Sequence, residues 1–290
     1  MYKILLILFT LCFLVSCGSE PQNKKLTYQN IIILSDMSSR IYNKPNKDVN
    51  EIKKLVTYFK NECVKPGEKI GDKSSIYYTS FSDKIIASID IDQIKSLGAK
   101  QQFINSTGEY KNKGLVQQIS HFEKKVDSAY ATIRNQGLDL ISILIEKNEN
   151  DGLIKKDTYL TDGIDTTYIN YDNHIYIFTD GYLEYFNKKG NSQFYFGKPE
   201  IDKVRTYCTL HKTNIKDALE KDKSLRLQPI KADSNKLITL HIYETQERDK
   251  DDKMLNYKHV KGLRDNEILE AVWRKWANDS GFKDLTWSKY

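Results

Sequence analysis

Two acidic residues close two of the most apolar stretches of this chain, and the chemistry open to them is oxygen ligation. Asp36 ends Asn30-Ile31-Ile32-Ile33-Leu34-Ser35-Asp36, and Asp180 ends His174-Ile175-Tyr176-Ile177-Phe178-Thr179-Asp180. Continuous apolar runs rich in β-branched residues are the pattern of strands buried on both faces of a parallel sheet. Ligands of such sheets bind beyond the carboxyl ends of the strands. Two carboxylates on one rim, joined by the hydroxyl of Ser38, make an oxygen-only ligand set that suits Mg²⁺ or Ca²⁺ better than a softer metal. Ser39 and Arg40 follow in the same loop. Arg40 offers a second solution, because a guanidinium paired with Asp36 or Asp180 supplies the positive charge without any metal. Beyond Thr179 and Asp180 runs an aromatic segment, Tyr182, Tyr185, Phe186, Phe194, Tyr195 and Phe196. Tyrosines on a rim loop suit contact with a protein or a sugar. A hairpin folding its rings onto the domain's own core satisfies the same pattern.

Other chemistries lack their residues. The chain has no Gly-x-Ser-x-Gly elbow, no Gly-rich phosphate loop before a helix and no His-Glu-x-x-His. A phosphotransferase of the haloacid dehalogenase type needs Asp-x-Asp, and Ser38 fills the second acid position. Ser38 or Ser39 as a nucleophile needs a base, and the sequence designates none. The five histidines are scattered, and no Cys-x-x-Cys occurs. Asp249 to Lys253 is a mixed-charge loop without the glycine and terminal glutamate of a calcium loop.

The N-terminus carries a different signal. Lys3 precedes an uncharged run from Ile4 to Val15. A membrane-spanning helix needs about 20 apolar residues, so the run fits the apolar region of a secretory signal instead. Leu14-Val15-Ser16-Cys17 closes it, with small Ser16 leaving room for a peptidase. The segment resembles a bacterial lipoprotein signal, with Leu14 to Ser16 as the lipobox. The resemblance implies cleavage of residues 1–16, lipidation of Cys17 and tethering to a membrane of the bacterial envelope. Residues 17–27 are then a flexible linker and 28–290 one domain. Gly18-Ser19-Glu20-Pro21 holds a single acid, which favours a periplasm-facing orientation. Loss of Lys3 lowers the formal charge from +6 to +5, and no block of like charges points to nucleic acid. In an oxidising compartment Cys63 and Cys208 could pair, given Cα atoms within about 7 Å.

The order of elements must place the acids. Helical spacing of Ile52, Leu55, Val56 and Phe59 predicts a helix over 48–64 capped by Asp48. Strands are expected at 75–81, 84–91, 174–179 and 236–244, and helices at 114–135, 138–147, 201–221 and 266–277. Residues 148–172 read as an insertion with a hairpin at Asp162-Gly163. Trp273 and Trp276 share one helix face and read as core. Strands alternating with helices predict a doubly wound α/β fold, a mainly parallel sheet with helices on both faces.

Asp36-Met37-Ser38-Ser39-Arg40 after the first strand and Thr179-Asp180-Gly181 after a later one resemble a von Willebrand factor A domain, over roughly residues 28–282. The resemblance implies a divalent cation at Asp36, Ser38 and Asp180, and a macromolecular partner at a rim that includes Ser39, Arg40, Thr179, Tyr182 and Tyr185. Arg40 stands where the family has a second serine, and Leu138 of Gly137-Leu138-Asp139-Leu140 where it has a threonine. The expectation is a lipid-anchored binding protein whose metal site is degenerate. A metal-assisted hydrolase on the same acids and a purely structural envelope lipoprotein are the alternatives.

Overall fold

A computed structural model describes residues 23–38, 45–67, 72–80, 85–132, 152–161, 165–184, 194–251 and 253–289. Cys17, Ser39, Arg40, Tyr185, the Gly137–Leu140 loop, the 138–147 helix and Asp162-Gly163 lie outside these residues. The described chain divides into two compact units: residues 23–27 with 157–170, and residues 28–156 with 171–289.

In the smaller unit, β4 (Thr158–Thr161) pairs antiparallel with the first residues of β5 (Thr166–Thr179), Tyr159 opposite Tyr168. These are the two strands expected to flank Asp162-Gly163.

In the larger unit the sheet is built from the later residues of β1 (Asn23–Ser35) and β5, with β2 (Ser75–Thr79), β3 (Ala87–Asp90), β6 (Ile238–Glu244) and β9 (Asp284–Lys289), while the short strands β7 (Lys250–Asp251) and β8 (Asn256–Tyr257) pair with each other. Their order is β3-β2-β1-β5-β6-β9. β1 pairs parallel with β2, β5 with β6, and β6 with β9, while β3 is an antiparallel edge. The described residues thus form a mixed α/β fold with a mostly parallel sheet flanked by helices.

The apolar runs explain the layering. Successive strand side chains point to opposite faces. Ile31 and Ile33 enter a core with α1 (Pro45–Tyr58), the π-helical turn Phe59–Val64 and α3 (Leu115–Thr132). Ile32 and Leu34 enter the other core, with α4 (Lys198–His211), α5 (Ile215–Lys221) and α6 (Asp265–Ser280). A strand covered on both faces has no polar positions to spare, which is why the run is unbroken. Cys63 sits in the first core and Cys208 in the second, both as free thiols. The sheet separates them, so the pairing considered from sequence does not form.

Several elements depart from expectation. The first helix starts at Pro45, so Asp48 falls inside its first turn rather than capping it. Asp48 is buried, and the Tyr130 hydroxyl lies 2.9 Å from Asp48 Oδ2 and 2.9 Å from Ser35 Oγ. We expect Tyr130→Phe to cost about 1–2 kcal/mol, because a buried carboxylate loses a donor; urea unfolding of the variant checks this. The predicted 201–221 helix breaks into two at Lys212, whose φ is +48°, and Asn214 caps the second half by accepting from the Asp217 N–H. A short helix, α2 (Leu97–Asn105), and the last strand, β9, were not expected. β9 carries only Leu285 and Trp287 inward, too few apolar residues to stand out beside the charged ends. Among the described residues no helix is long and apolar enough to cross a membrane.

Trp273 and Trp276 are fully buried on α6 with their rings edge to face at 5.7 Å, as their spacing predicts. Trp273 Nε1 donates to the Gly181 carbonyl at 2.9 Å. Gly181 has φ +86°, and a Cβ there would come within 2.9 Å of the Trp287 ring. α6 and β9 thereby fix the chain just after Asp180.

Candidate functional site at the switch point of the sheet

The chain leaves β1 for β2 on one side and β5 for β6 and β9 on the other, so strand order reverses between β1 and β5. A crevice opens at the carboxyl ends of strands at such a point. Asp36 and Asp180 emerge there from adjacent strands, linked by the Asp36 N–H donating to the Phe178 carbonyl at 2.9 Å. Both are buried, Asp36 at 7 % and Asp180 at 1 % exposure. Asp36 Oδ1 accepts from the Ser38 N–H at 2.8 Å, a turn that holds the loop. Thr179 is structural: its hydroxyl accepts from the Gly181 N–H and its carbonyl from the Thr245 N–H.

Among the described residues, a cation of this site comes from a residue that sequence reasoning missed. Arg248, in the loop after β6, donates from Nε to Asp180 Oδ2 at 2.7 Å, and its Nη2 lies 2.7 Å from the same oxygen as an ion pair. Its Nη1 donates to Glu184 Oε2 at 2.6 Å, and its guanidinium lies 3.9 Å from the centre of the Tyr182 ring. The Tyr182 N–H donates to Asp180 Oδ1 at 3.2 Å. Burial alone would pull Arg248 down, but the Asp180 and Glu184 carboxylates outweigh it and hold the guanidinium above its ordinary range. Arg40, the guanidinium that the sequence offers to Asp36 or Asp180, lies outside the described residues. The available signal was position: a lone arginine just past the end of a strand lies on the same rim as the acids.

Tyr182 lies buried under Arg248 rather than facing outward as a contact platform. Its hydroxyl donates to Asp265 Oδ2 at 2.6 Å, and burial, followed by that carboxylate, pushes the phenol up strongly. Asp265 also receives Lys198 Nζ at 3.2 Å and Arg205. Burial opposes its ionisation, yet the Tyr182, Lys198 and Arg205 donors together pull its carboxyl below the usual range. Phe194 and Phe196 are buried, and Leu183 and Phe196 exchange backbone hydrogen bonds at 3.0 Å. For these rings the aromatic run packs on the domain's own core.

Next along the rim, Glu244 ends β6 opposite Thr179. It is 3 % exposed, its Oε2 accepts from Trp287 Nε1 at 2.8 Å, and its Oε1 has no hydrogen-bond partner among the described residues. Burial pushes this carboxyl up to about 7.

A second charged cluster is satisfied internally. Lys155 donates to Asp90 at 2.8 Å and Lys73 to Asp92 at 3.0 Å, and Tyr77 and Tyr171 donate to the same two acids. The lysines and acids neutralise one another, as a structural network does.

Of the residues expected to hold a metal, Asp36, Ser38 and Asp180 are brought to one rim. Both Asp180 oxygens already accept from N–H donors, and one of the donors carries the compensating charge. Among the described residues no three of His, Cys, Asp and Glu are grouped to hold a metal. Fold and site together define an α/β protein with a polar, arginine-neutralised rim at its switch point. In comparison with known proteins, no family model and no curated protein sequence matches the chain.

Proposed function

We propose that this is a lipid-anchored protein of the bacterial envelope whose von Willebrand factor A-like domain binds a macromolecular partner at the Asp36–Asp180 rim. The observation that carries the reading is the emergence of these two acids from adjacent parallel strands at the point where strand order reverses. The antiparallel edge strand β3 and the order β3-β2-β1-β5-β6-β9 support the family resemblance drawn from the Asp36 and Asp180 loops. The guanidinium and backbone N–H that donate to Asp180 favour binding over hydrolysis, since neither is a general base at neutral pH. The partner is a protein, and the membrane is met through lipid on Cys17.

Two measurements test the parts separately. Cys17→Ser should move the protein from the membrane fraction to the soluble one and abolish incorporation of labelled palmitate; unchanged fractionation removes the anchor from the proposal. A photo-crosslinking amino acid at Ser38, in cells of the native host, should trap one protein, while the same probe at exposed Leu210 on α4 should not. Absence of any adduct at Ser38 sinks the rim as a binding surface.

A further inference from the structure

We propose that Arg248 is the resident cation of the rim and makes the site independent of divalent metal. This goes beyond the binding reading and shares only the acids with it.

The family resemblance calls for a hard cation here, and the described residues disagree with that. A divalent ion needs carboxylate oxygens free to face it at about 2.0–2.6 Å. Asp180 Oδ2 instead faces two nitrogens of one guanidinium, and Glu184 Oε2 faces the third. Two carboxylates of the segment after β5 thus converge on one charge carried by the chain itself. Arginine is suited to hold that place, since it stays protonated throughout the accessible pH range and its planar fork is pre-organised for carboxylates. The Tyr182 ring against its face adds a cation–π contact. The Thr245 N–H bonded to the Thr179 carbonyl ties the start of the Arg248 loop to β5, so the guanidinium is delivered by the fold. A tethered cation is present at every metal concentration, whereas a weakly bound ion is not.

Removal of the side chain takes the Arg248 charge away from Asp180 and Glu184. Carboxylates so placed either take up a proton or attract a hard cation. Mn²⁺ is the probe, followed by calorimetry on the detergent-purified full chain as wild type, Arg248→Ala and Arg248→Ala/Asp180→Asn. Wild type should give no saturable binding. Arg248→Ala should gain a site of about 0.1–1 mM, the range of weak oxygen-ligand sites, and the double variant should lose it. Saturable Mn²⁺ binding by wild type that Asp180→Asn abolishes overturns the proposal. So does an Arg248→Ala protein with native near-UV circular dichroism and no binding. The wild-type arm decides even where the variant does not fold, and the crosslinking experiment above reads the partner without reference to metal.

Discussion

Arg248→Met is expected to lower unfolding free energy by about 2–3 kcal/mol at pH 7, measured by urea denaturation. Breaking a buried ion pair by deleting one partner costs about 3–5 kcal/mol, because the remaining charge stays buried. Asp180 is 1 % exposed but the Arg248 side chain is 39 % exposed, so water enters on truncation and the lower end applies after screening. Asp180→Asn alone should also destabilise, since Arg248 loses its ion pair with Asp180 and keeps only the one with Glu184. The double variant should be more stable than the sum of the singles predicts, by about 1–2 kcal/mol, as residues in direct contact couple. Additivity would mean that Asp180 and Arg248 do not interact in solution, and the charge balance of the rim would then need another source.

Glu244→Gln should have an effect of similar size and opposite sign. The ordinary value of this carboxyl is 4.5, and in the fold it rises to about 7. Below pH 4.5 both folded and unfolded chains carry the proton, and the group contributes nothing. Between 4.5 and 7 the unfolded chain releases it while the folded one retains it, so unfolding is favoured increasingly as pH rises. Above 7 the penalty is complete, at about 3 kcal/mol from 1.36 kcal/mol per unit. Glutamine keeps an acceptor for Trp287 Nε1 and cannot ionise. The variant should therefore match wild type near pH 4, exceed it by about 3 kcal/mol at pH 8, and lose the decline across this window. Equal pH profiles for the two proteins would show that water or Lys289, 3.9 Å away, relieves Glu244 in solution.

The two predictions concern residues of different legibility. Nothing in the sequence distinguishes Glu244 from the other acids until β6 and β9 pair and place Trp287 against it. Arg248 has only its position just past a strand to mark it inside Thr245-Gln246-Glu247-Arg248-Asp249. Both belong to the rim through long-range packing, to which local periodicity is blind. By contrast, Asp36 and Asp180 were legible because each follows an apolar run that only a doubly covered strand explains. The tryptophans of α6 were legible because helical spacing put both on one face. β9 escaped because a half-buried edge strand of six residues carries little apolar signal.

Sequence alone determined the alternation of elements, the mostly parallel sheet and the two carboxylates at strand ends, because burial on two faces demands continuous apolar runs. Tertiary structure alone decided the order in which those strands lie, and hence that Asp36 and Asp180 stand side by side at the switch point of the sheet. It also decided that Arg248 supplies the positive charge there. Charge pairing across the rim depends on which loops meet, and residues 68 positions apart in the chain meet only once the sheet has formed.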